Sequence, residues 1–209
     1  MFLEEVTFPG GTRVLAWRLE EETSLLASCC HEIGIAFEDL MDLPLKRQRE
    51  KAAERLLLCR AFGQPVTLLH DEQGAPSVEG HEQVNISITH TPQLVALAVN
   101  ENEVIGLDAE QADRQQVLKV RAKFLNPEEQ TFIGQNMAAH IIAWTAKEAI
   151  IKAERNSALD WTNGICLDPF TVTELDFEEI TFTARCGANR YRMTTHRVEH
   201  HYMTLAIAY

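Results

Sequence analysis

Short runs of alternating apolar and polar residues recur through the first half of the chain and predict β-strands there. The best defined are residues 12–19, 66–70 and 103–108. Residues 84–90 and 94–100 are predicted as two strands joined by a short turn, a pattern typical of a β-hairpin.

Apolar residues spaced three or four apart predict helices over residues 20–33, 46–62 and 114–155. Gly63 ends the second helix. The third is expected to break at Asn126-Pro127, since proline suits the first turn of a helix. Strands return in the tail at residues 171–174, 179–185, 191–196 and 202–208.

A weak internal sequence repeat divides the chain into two halves. Thr89-His90 precedes the apolar run Leu97-Ala98-Val99, and Thr195-His196 precedes Leu205-Ala206-Ile207. Each half also contains one long helix. We therefore predict an α+β fold of two related lobes, residues 1–101 and 102–209, each a small, mainly antiparallel sheet with a long packing helix. The two lobes are expected to pack tightly, with the active site where they meet, and one chain holding both lobes predicts a monomer.

Composition narrows the functional classes. The 209 residues carry 19 Lys and Arg against 31 Asp and Glu, a net charge of −12, which argues against general nucleic-acid binding. The five cysteines include no Cys-x-x-Cys pair. No apolar run approaches the ~18 residues of a membrane helix, and the early acids Glu4 and Glu5 do not fit a signal peptide. We expect a cytoplasmic protein that does not bind membranes.

Two acids follow the apolar strand near the middle of the chain. Asp108 and Glu110 are two residues apart, so in a strand their side chains face the same side. Paired carboxylates suit Mg²⁺, which completes its shell with water and phosphate oxygens. The competing interpretation is a pair of solvated acids that open a loop.

A second group of chemically active residues lies on the predicted third helix. Lys147, Glu148 and Lys152 share one sector of that helix. Glu148 would bind metal or accept a proton, and the two lysines would oppose phosphate charge. The alternative is a surface ion pair of Glu148 with Lys152, worth only ~0.2–0.5 kcal/mol.

These segments together resemble the signature of 4′-phosphopantetheinyl transferases. The matching residues are Ile105-Gly106-Leu107-Asp108 and the helical run from Trp144 to Lys152. Upstream, Gly74-Ala75-Pro76 and Ser87-Ile88-Thr89-His90-Thr91 are similar to elements of the surfactin-type branch, which is two-lobed and monomeric. The resemblance spans residues 46–153.

The resemblance implies Mg²⁺-dependent transfer of the phosphopantetheine arm of coenzyme A to a serine of an apo acyl or peptidyl carrier protein, releasing adenosine 3′,5′-bisphosphate. Mn²⁺ is the alternative metal. Metal binding falls to Asp108, Glu110 and Glu148, and catalysis to Asp108, Glu148 and Lys152. The implied contacts to coenzyme A are Lys46, Arg47, Gly74, Pro76, Thr89, His90, Lys147 and Lys152.

The carrier protein needs a docking surface, and the most basic stretch of the chain lies between Asp113 and Glu128. Carrier proteins of this system are usually acidic around their serine. We expect docking through Arg114, Lys119, Arg121 and Phe124. The competing interpretation is a solvated helix face.

Two other functions stay open at this point. One departure from the family pattern, Ala75 in place of a common lysine, leaves room for a non-catalytic paralogue that binds coenzyme A or a carrier. Carboxylates beside a lysine also suit a metal-dependent nuclease. The acidic net charge weighs against the nuclease.

Overall fold

The computed structural model describes residues 1–8, 10–173 and 179–209. The chain divides into two compact units, Met1–Asn102 and Glu103–Tyr209. Each unit combines an antiparallel sheet with an 18-residue helix, which confirms the predicted α+β fold class.

The N-terminal unit is built on a four-stranded antiparallel sheet in the order β1-β2-β6-β5, with a separate β3–β4 hairpin. Its strands are β1 (Phe2–Thr7), β2 (Arg13–Arg18), β3 (Leu68–His70), β4 (Pro76–Val78), β5 (Asn85–His90) and β6 (Leu94–Asn100). Its α-helices are α1 (Thr23–Glu32) and α2 (Leu45–Phe62), and a short 3-10 turn covers Glu38–Leu40.

Helix α2 organises the core of this unit. It packs on β2, β6 and α1, and its side chains Ala53, Leu57 and Leu58 are buried against the sheet. Strand β6 lies between β2 and β5 and is buried along its whole length. Gly63, in the left-handed conformation with φ of 73°, ends α2 at the predicted position.

The C-terminal unit contains a five-stranded antiparallel sheet in the order β7-β11-β10-β9-β8. Its strands are β7 (Ile105–Gln111), β8 (Ile165–Leu167), β9 (Glu179–Cys186), β10 (Asn189–Val198) and β11 (His201–Ala208). Its α-helices are α3 (Gln116–Val120), α4 (Pro127–Ile133) and α5 (Met137–Glu154), with a 3-10 turn at Arg121–Lys123. Helix α5 packs on β7 and β11, and its small residues Ala146, Ala149 and Ala153 are buried there.

The region predicted as helical over residues 114–155, with one break at Asn126-Pro127, has more than one interruption. The expected break occurs at Asn126, whose side chain caps α4 as Pro127 begins it. A further interruption at Gly134 separates α4 from α5, because the φ of 60° at this glycine is not helical.

Three strands, β1, β4 and β8, escaped prediction, and one predicted strand is wrong where the structure describes it. Strand β4 begins at Pro76, a residue that the turn signals placed in a turn. Strand β1 carries polar residues Glu4 and Glu5 beside its apolar ones, and β8 is only three residues long, so neither produces a clear periodic pattern. Residues 171–173 do not form a strand, and Glu174, the last residue of that predicted segment, lies outside the described residues.

Within the described ranges, no helix is long and apolar enough to cross a membrane.

Candidate active site

A close approach of α5 to β7 creates the framework of the site. A Cβ atom at Gly106 of β7 would lie 1.8 Å from the backbone oxygen of Ala149 of α5, so only glycine allows this contact. Alternate residues of a strand face the same way, and Asp108 and Glu110 therefore face the α5 side of the sheet together with Gly106. The local sequence thus directs two carboxylates toward the helix that carries Glu148 and Lys152.

Asp108 is held by the lysine at the end of this helix. Its Oδ1 atom lies 2.8 Å from Lys152 Nζ, which also donates to the backbone oxygen of Leu107 at 2.8 Å. The Asp108 residue is largely buried, and the ammonium group of Lys152 compensates its negative charge.

Glu110 has a different cationic partner. Its Oε2 atom forms an ion pair with Arg114, and its Oε1 accepts a hydrogen bond from the backbone N–H of Gln111 at 2.9 Å. The predicted metal ligand Glu110 and the predicted docking residue Arg114 are therefore directly bonded to each other.

Glu148 differs from the other two carboxylates. Burial and, to a smaller extent, the negative charge of Asp108 raise its pKa from 4.5 to about 7, against the opposing effects of Lys152 and Arg114. In the part of the chain that the structure describes, its carboxylate has no ion-pair partner of the kind found at Asp108 and Glu110. At neutral pH this group is therefore poised between its proton-accepting and proton-donating forms.

The chemistry of the three carboxylates fits a hard divalent cation. Two of them already have a cationic partner: Asp108 is paired with Lys152, and Glu110 with Arg114. Residues 1–8, 10–173 and 179–209 include no group of three His, Cys, Asp or Glu side chains arranged to hold a metal. Asp108 and Glu148 are nevertheless close enough for the charge of one to raise the pKa of the other, and Glu110 faces the same side of β7. Carboxylate oxygens of this kind are the ligands that Mg²⁺ prefers.

Lys147 was wrongly predicted to contact coenzyme A. Its side chain is 0% exposed, and its ammonium donates to Glu129 Oε2 and to the backbone oxygens of Phe124, Trp161 and Ile165 at 2.7–2.9 Å. Burial lowers its pKa, against the hydrogen bond and charge of Glu129. The helix sector that the sequence assigned to ligand binding is covered on this side by residues 124–129 and 161–165.

The predicted docking residues separate into exposed and buried ones. Arg114, Lys119 and Arg121 are exposed, whereas Phe124 is only 1% exposed. The Phe124 ring packs edge-on against Trp144, with 5.2 Å between ring centroids. Phe124 as a docking residue is therefore a wrong prediction, because its ring belongs to the core.

In the N-terminal unit, the start of α2 and the end of β5 bring two predicted phosphate ligands together. Arg47 Nη1 lies 3.3 Å from His90 Nε2 and donates to the buried carboxylate of Glu50 at 2.6 Å. Lys46 is exposed and lies 3.7 Å from the same carboxylate. One acid thus orients two cations beside an imidazole, an arrangement suited to an anion.

The other predicted contacts occupy distinct positions in this unit. Gly74, with φ of 83°, lies in the turn of the β3–β4 hairpin, where Asp71 Oδ1 accepts from the backbone N–H groups of Gln73 and Ala75. Pro76 begins β4, and Thr89 is buried in β5.

Sequence reasoning missed Glu129 and Glu50. Glu129 lies three residues after Asn126, and the two form a reciprocal capping box at the start of α4. That spacing could have identified Glu129 as a structured acid. Glu50 follows Lys46 and Arg47 by about one helical turn, the spacing of an ion pair, but no local signal indicates that it is buried.

Comparison with known proteins identifies the class to which this site belongs. The family model described as the 4′-phosphopantetheinyl transferase superfamily matches residues 104–209, half of the chain, and the protein belongs to this superfamily. The match includes β7, α5 and all three carboxylates. A search of curated proteins found no match to the chain.

Proposed function

We propose that this protein transfers the phosphopantetheine arm of coenzyme A to a serine of an apo acyl or peptidyl carrier protein and releases adenosine 3′,5′-bisphosphate. We assign it to the surfactin-type branch of the superfamily. The observation that carries the proposal is the group of Asp108, Glu110 and Glu148 around β7 and α5, with the pKa of Glu148 raised to about 7.

Glu148 is the proposed proton acceptor. The serine oxygen forms a bond to the phosphorus atom next to the pantetheine arm, and the bond from that phosphorus to the bridging oxygen breaks. The serine proton passes to a carboxylate oxygen of Glu148, and the bisphosphate leaves with the electron pair. A carboxylate positioned beside the reacting hydroxyl is a common general base.

Lys152 supplies positive charge to the same step. Its ammonium is 2.8 Å from Asp108. A lysine in this position can balance the negative charge that spreads over phosphate oxygens as the leaving group departs.

Asp108, Glu110 and Glu148 are the proposed ligands of Mg²⁺, with Mn²⁺ as an alternative. When bound, the metal would neutralise pyrophosphate charge and orient the phosphates for in-line attack. Arg114 would compete with the metal for Glu110, because both are cations attracted to the same carboxylate.

In the N-terminal unit we assign Arg47 and His90 to a phosphate of coenzyme A, with Lys46 as a further cation. The support is their proximity and the orienting contact from Glu50. Arginine is favoured over lysine for the 3′-phosphate because its planar group can bind two phosphate oxygens at once.

The proposed protein partner is acidic around its serine. Arg114, Lys119 and Arg121 are exposed cations on a chain with a net charge of −12, so an acidic partner would be repelled elsewhere and attracted here. Such complementarity mainly increases the association rate and makes it dependent on salt.

The proposal is tested by incubating purified apo carrier proteins from fatty-acid, polyketide and peptide synthesis with the protein, coenzyme A and Mg²⁺. Intact mass spectrometry should detect the gain of one phosphopantetheine group, and a carrier whose serine is replaced by alanine should gain nothing. If no carrier gains mass while coenzyme A still binds, the protein is a non-catalytic binder and the proposal is wrong.

A further inference from the structure

The buried ammonium group of Lys147 joins two segments of the C-terminal unit, residues 124–129 and 161–165, through four acceptors. Its acceptors are the backbone oxygen of Phe124, the carboxylate of Glu129 at the start of α4, and the backbone oxygens of Trp161 and Ile165. Glu129 in turn accepts from the backbone N–H groups of Asn126 and Leu167 at 2.9 Å. Both charged groups are almost fully inaccessible to solvent and act as a structural junction.

This junction fixes the chain that immediately follows the exposed cations. We call residues 119–123 the basic segment, because Lys119, Arg121 and Lys123 are all exposed within it. The next residues are held on their inner side: the oxygen of Leu125 accepts from Gln130, and the Phe124 ring packs on Trp144.

A second contact holds the end of the basic segment itself. Thr162 Oγ1 donates to the backbone oxygen of Lys123 at 3.3 Å, and Thr162 lies next to Trp161, whose oxygen accepts from Lys147. The loop that contains Thr162 is thus tied to the same ammonium group as Phe124. Removal of this ammonium would release both supports of the basic segment together.

We infer that Lys147 and Glu129 are positioning residues that hold the basic segment in the conformation that receives an acidic carrier protein. This inference rests on the proposed function. A segment that is already ordered loses less conformational entropy on binding than a mobile one, so the partner binds more tightly. The junction replaces the role in coenzyme A binding that the sequence suggested for Lys147.

The first experiment measures the junction without any substrate. In Lys147→Met, hydrogen exchange of the backbone amides of residues 121–126 should accelerate by about tenfold, because their local opening becomes easier. The control is Tyr191→Phe, which removes a partly buried 2.6 Å hydrogen bond to Glu154 at the C-terminal end of α5. Its exchange in residues 121–126 should equal that of the unmodified protein.

A lone buried acid can prevent folding once its lysine is removed. The double variant Lys147→Met/Glu129→Gln removes both charges together and serves as the second test. Exchange in residues 121–126 that stays unchanged in whichever of these variants folds would overturn the inference.

The second experiment separates positioning from general damage. In whichever of these two variants folds, the KM for the carrier should rise by about fivefold, while kcat and the KM for coenzyme A stay within about twofold. The reason is that only docking depends on the ordered basic segment. The salt dependence of the carrier KM should also weaken. Equal losses in kcat and in both KM values would indicate a merely structural role and contradict the inference.

The two experiments fail in distinguishable ways. If the unmodified protein transfers nothing to any carrier, the proposed function fails, and the carrier-docking role falls with it whatever the exchange result. If transfer occurs and exchange accelerates but the carrier KM is unchanged, the proposed function stands and the positioning inference is wrong.

Discussion

Replacement of Glu148 by glutamine should make the protein more stable and less active, and the gain in stability should depend on pH. The side chain is partly buried near Asp108, and its pKa is raised from 4.5 to about 7. Glutamine has a similar shape and carries no charge. The substitution therefore removes the cost of holding an ionised carboxylate in this position.

The direction of this pH dependence follows from the proton affinity of Glu148 in the folded and unfolded states. The folded protein holds the Glu148 proton up to about pH 7, whereas the unfolded chain releases it near 4.5. As pH rises from 4.5 through 7, the unfolded state becomes relatively more favourable. The penalty is absent below pH 4.5 and complete well above pH 7.

The magnitude follows from the size of the rise in pKa. A change from 4.5 to about 7 corresponds to at most about 3 kcal/mol of lost folding free energy, and solvent access to the side chain reduces this. We expect Glu148→Gln to raise the free energy of unfolding by about 2 kcal/mol at pH 8.5 and by less than about 0.5 kcal/mol at pH 5.

Urea unfolding followed by tryptophan fluorescence measures this difference. Trp144 and Trp161, whose ring centroids lie 4.9 Å apart, report on the C-terminal unit that contains Glu148. The control is Glu154→Gln on the same helix, which weakens the hydrogen bonds from Tyr191 and Asn189 and should destabilise. A Glu148→Gln protein that is no more stable at pH 8.5 than at pH 5, relative to the unmodified protein, would refute the reasoning.

A divalent cation provides a second comparison with the same samples. Mg²⁺ bound only to the folded state at about 100 times its Kd stabilises that state by about 2.7 kcal/mol. This gain in stability should be smaller in Glu148→Gln, because that protein lacks one proposed ligand. At pH 8.5, Mg²⁺ should therefore narrow or reverse the difference in free energy of unfolding between the two proteins. An equal gain in both proteins would mean that Glu148 does not contact the metal.

Three further substitutions test other parts of the account. Gly106→Ala places a Cβ atom 1.8 Å from the Ala149 oxygen and should force α5 away from β7. The free energy of unfolding should fall by about 3 kcal/mol and transfer should be abolished, and a urea midpoint like that of the unmodified protein would contradict this. In steady-state assays, Arg47→Gln should raise the KM for coenzyme A by about tenfold and leave the KM for dephospho-coenzyme A unchanged. An equal effect on both KM values would exclude a contact with the 3′-phosphate. Arg114→Gln removes the cation bonded to Glu110 and should tighten Mn²⁺ binding several-fold, as measured by calorimetry. Lys119→Gln is the control, and weaker Mn²⁺ binding in Arg114→Gln would show that Arg114 does not compete with the metal.

The elements that sequence reasoning predicted well are those with a complete local signal. Helix α2 has eighteen residues and ends at a left-handed glycine, and the β5–β6 hairpin consists of two apolar strands joined by a short turn. Strand β8 has three residues, too few for a period to appear, and its place at the sheet edge depends on pairing with β9. Local pattern therefore predicts long elements better than short ones.

Lys147 illustrates a different limit. A helical projection correctly places it near Glu148, but it does not indicate which other segments cover the helix. Residues 124–129 and 161–165 supply its four acceptors, and all lie at least 14 positions away in the chain. The same polar residue type serves a core junction or a ligand site according to contacts that are distant in sequence.

The contact of Arg47 with His90 shows that a family pattern can name residues that no local period connects. These residues are 43 positions apart, and no period relates them, yet both were named because their residue types match a family pattern. The Glu110–Arg114 ion pair had no such precedent in the pattern. A spacing of four residues suggests contact only in a helix, whereas here Glu110 lies in β7 and Arg114 lies three residues after that strand ends.

Quantitative intact mass spectrometry of an apo carrier protein, with unmodified protein and Asp108→Asn compared side by side, tests the central claim most directly. With coenzyme A and Mg²⁺, the unmodified protein should convert the carrier to its phosphopantetheine form, and the Asp108→Asn protein should convert almost none while it remains folded. Equal conversion by both proteins would contradict the assignment of the carboxylate group on β7 and α5 as the catalytic centre.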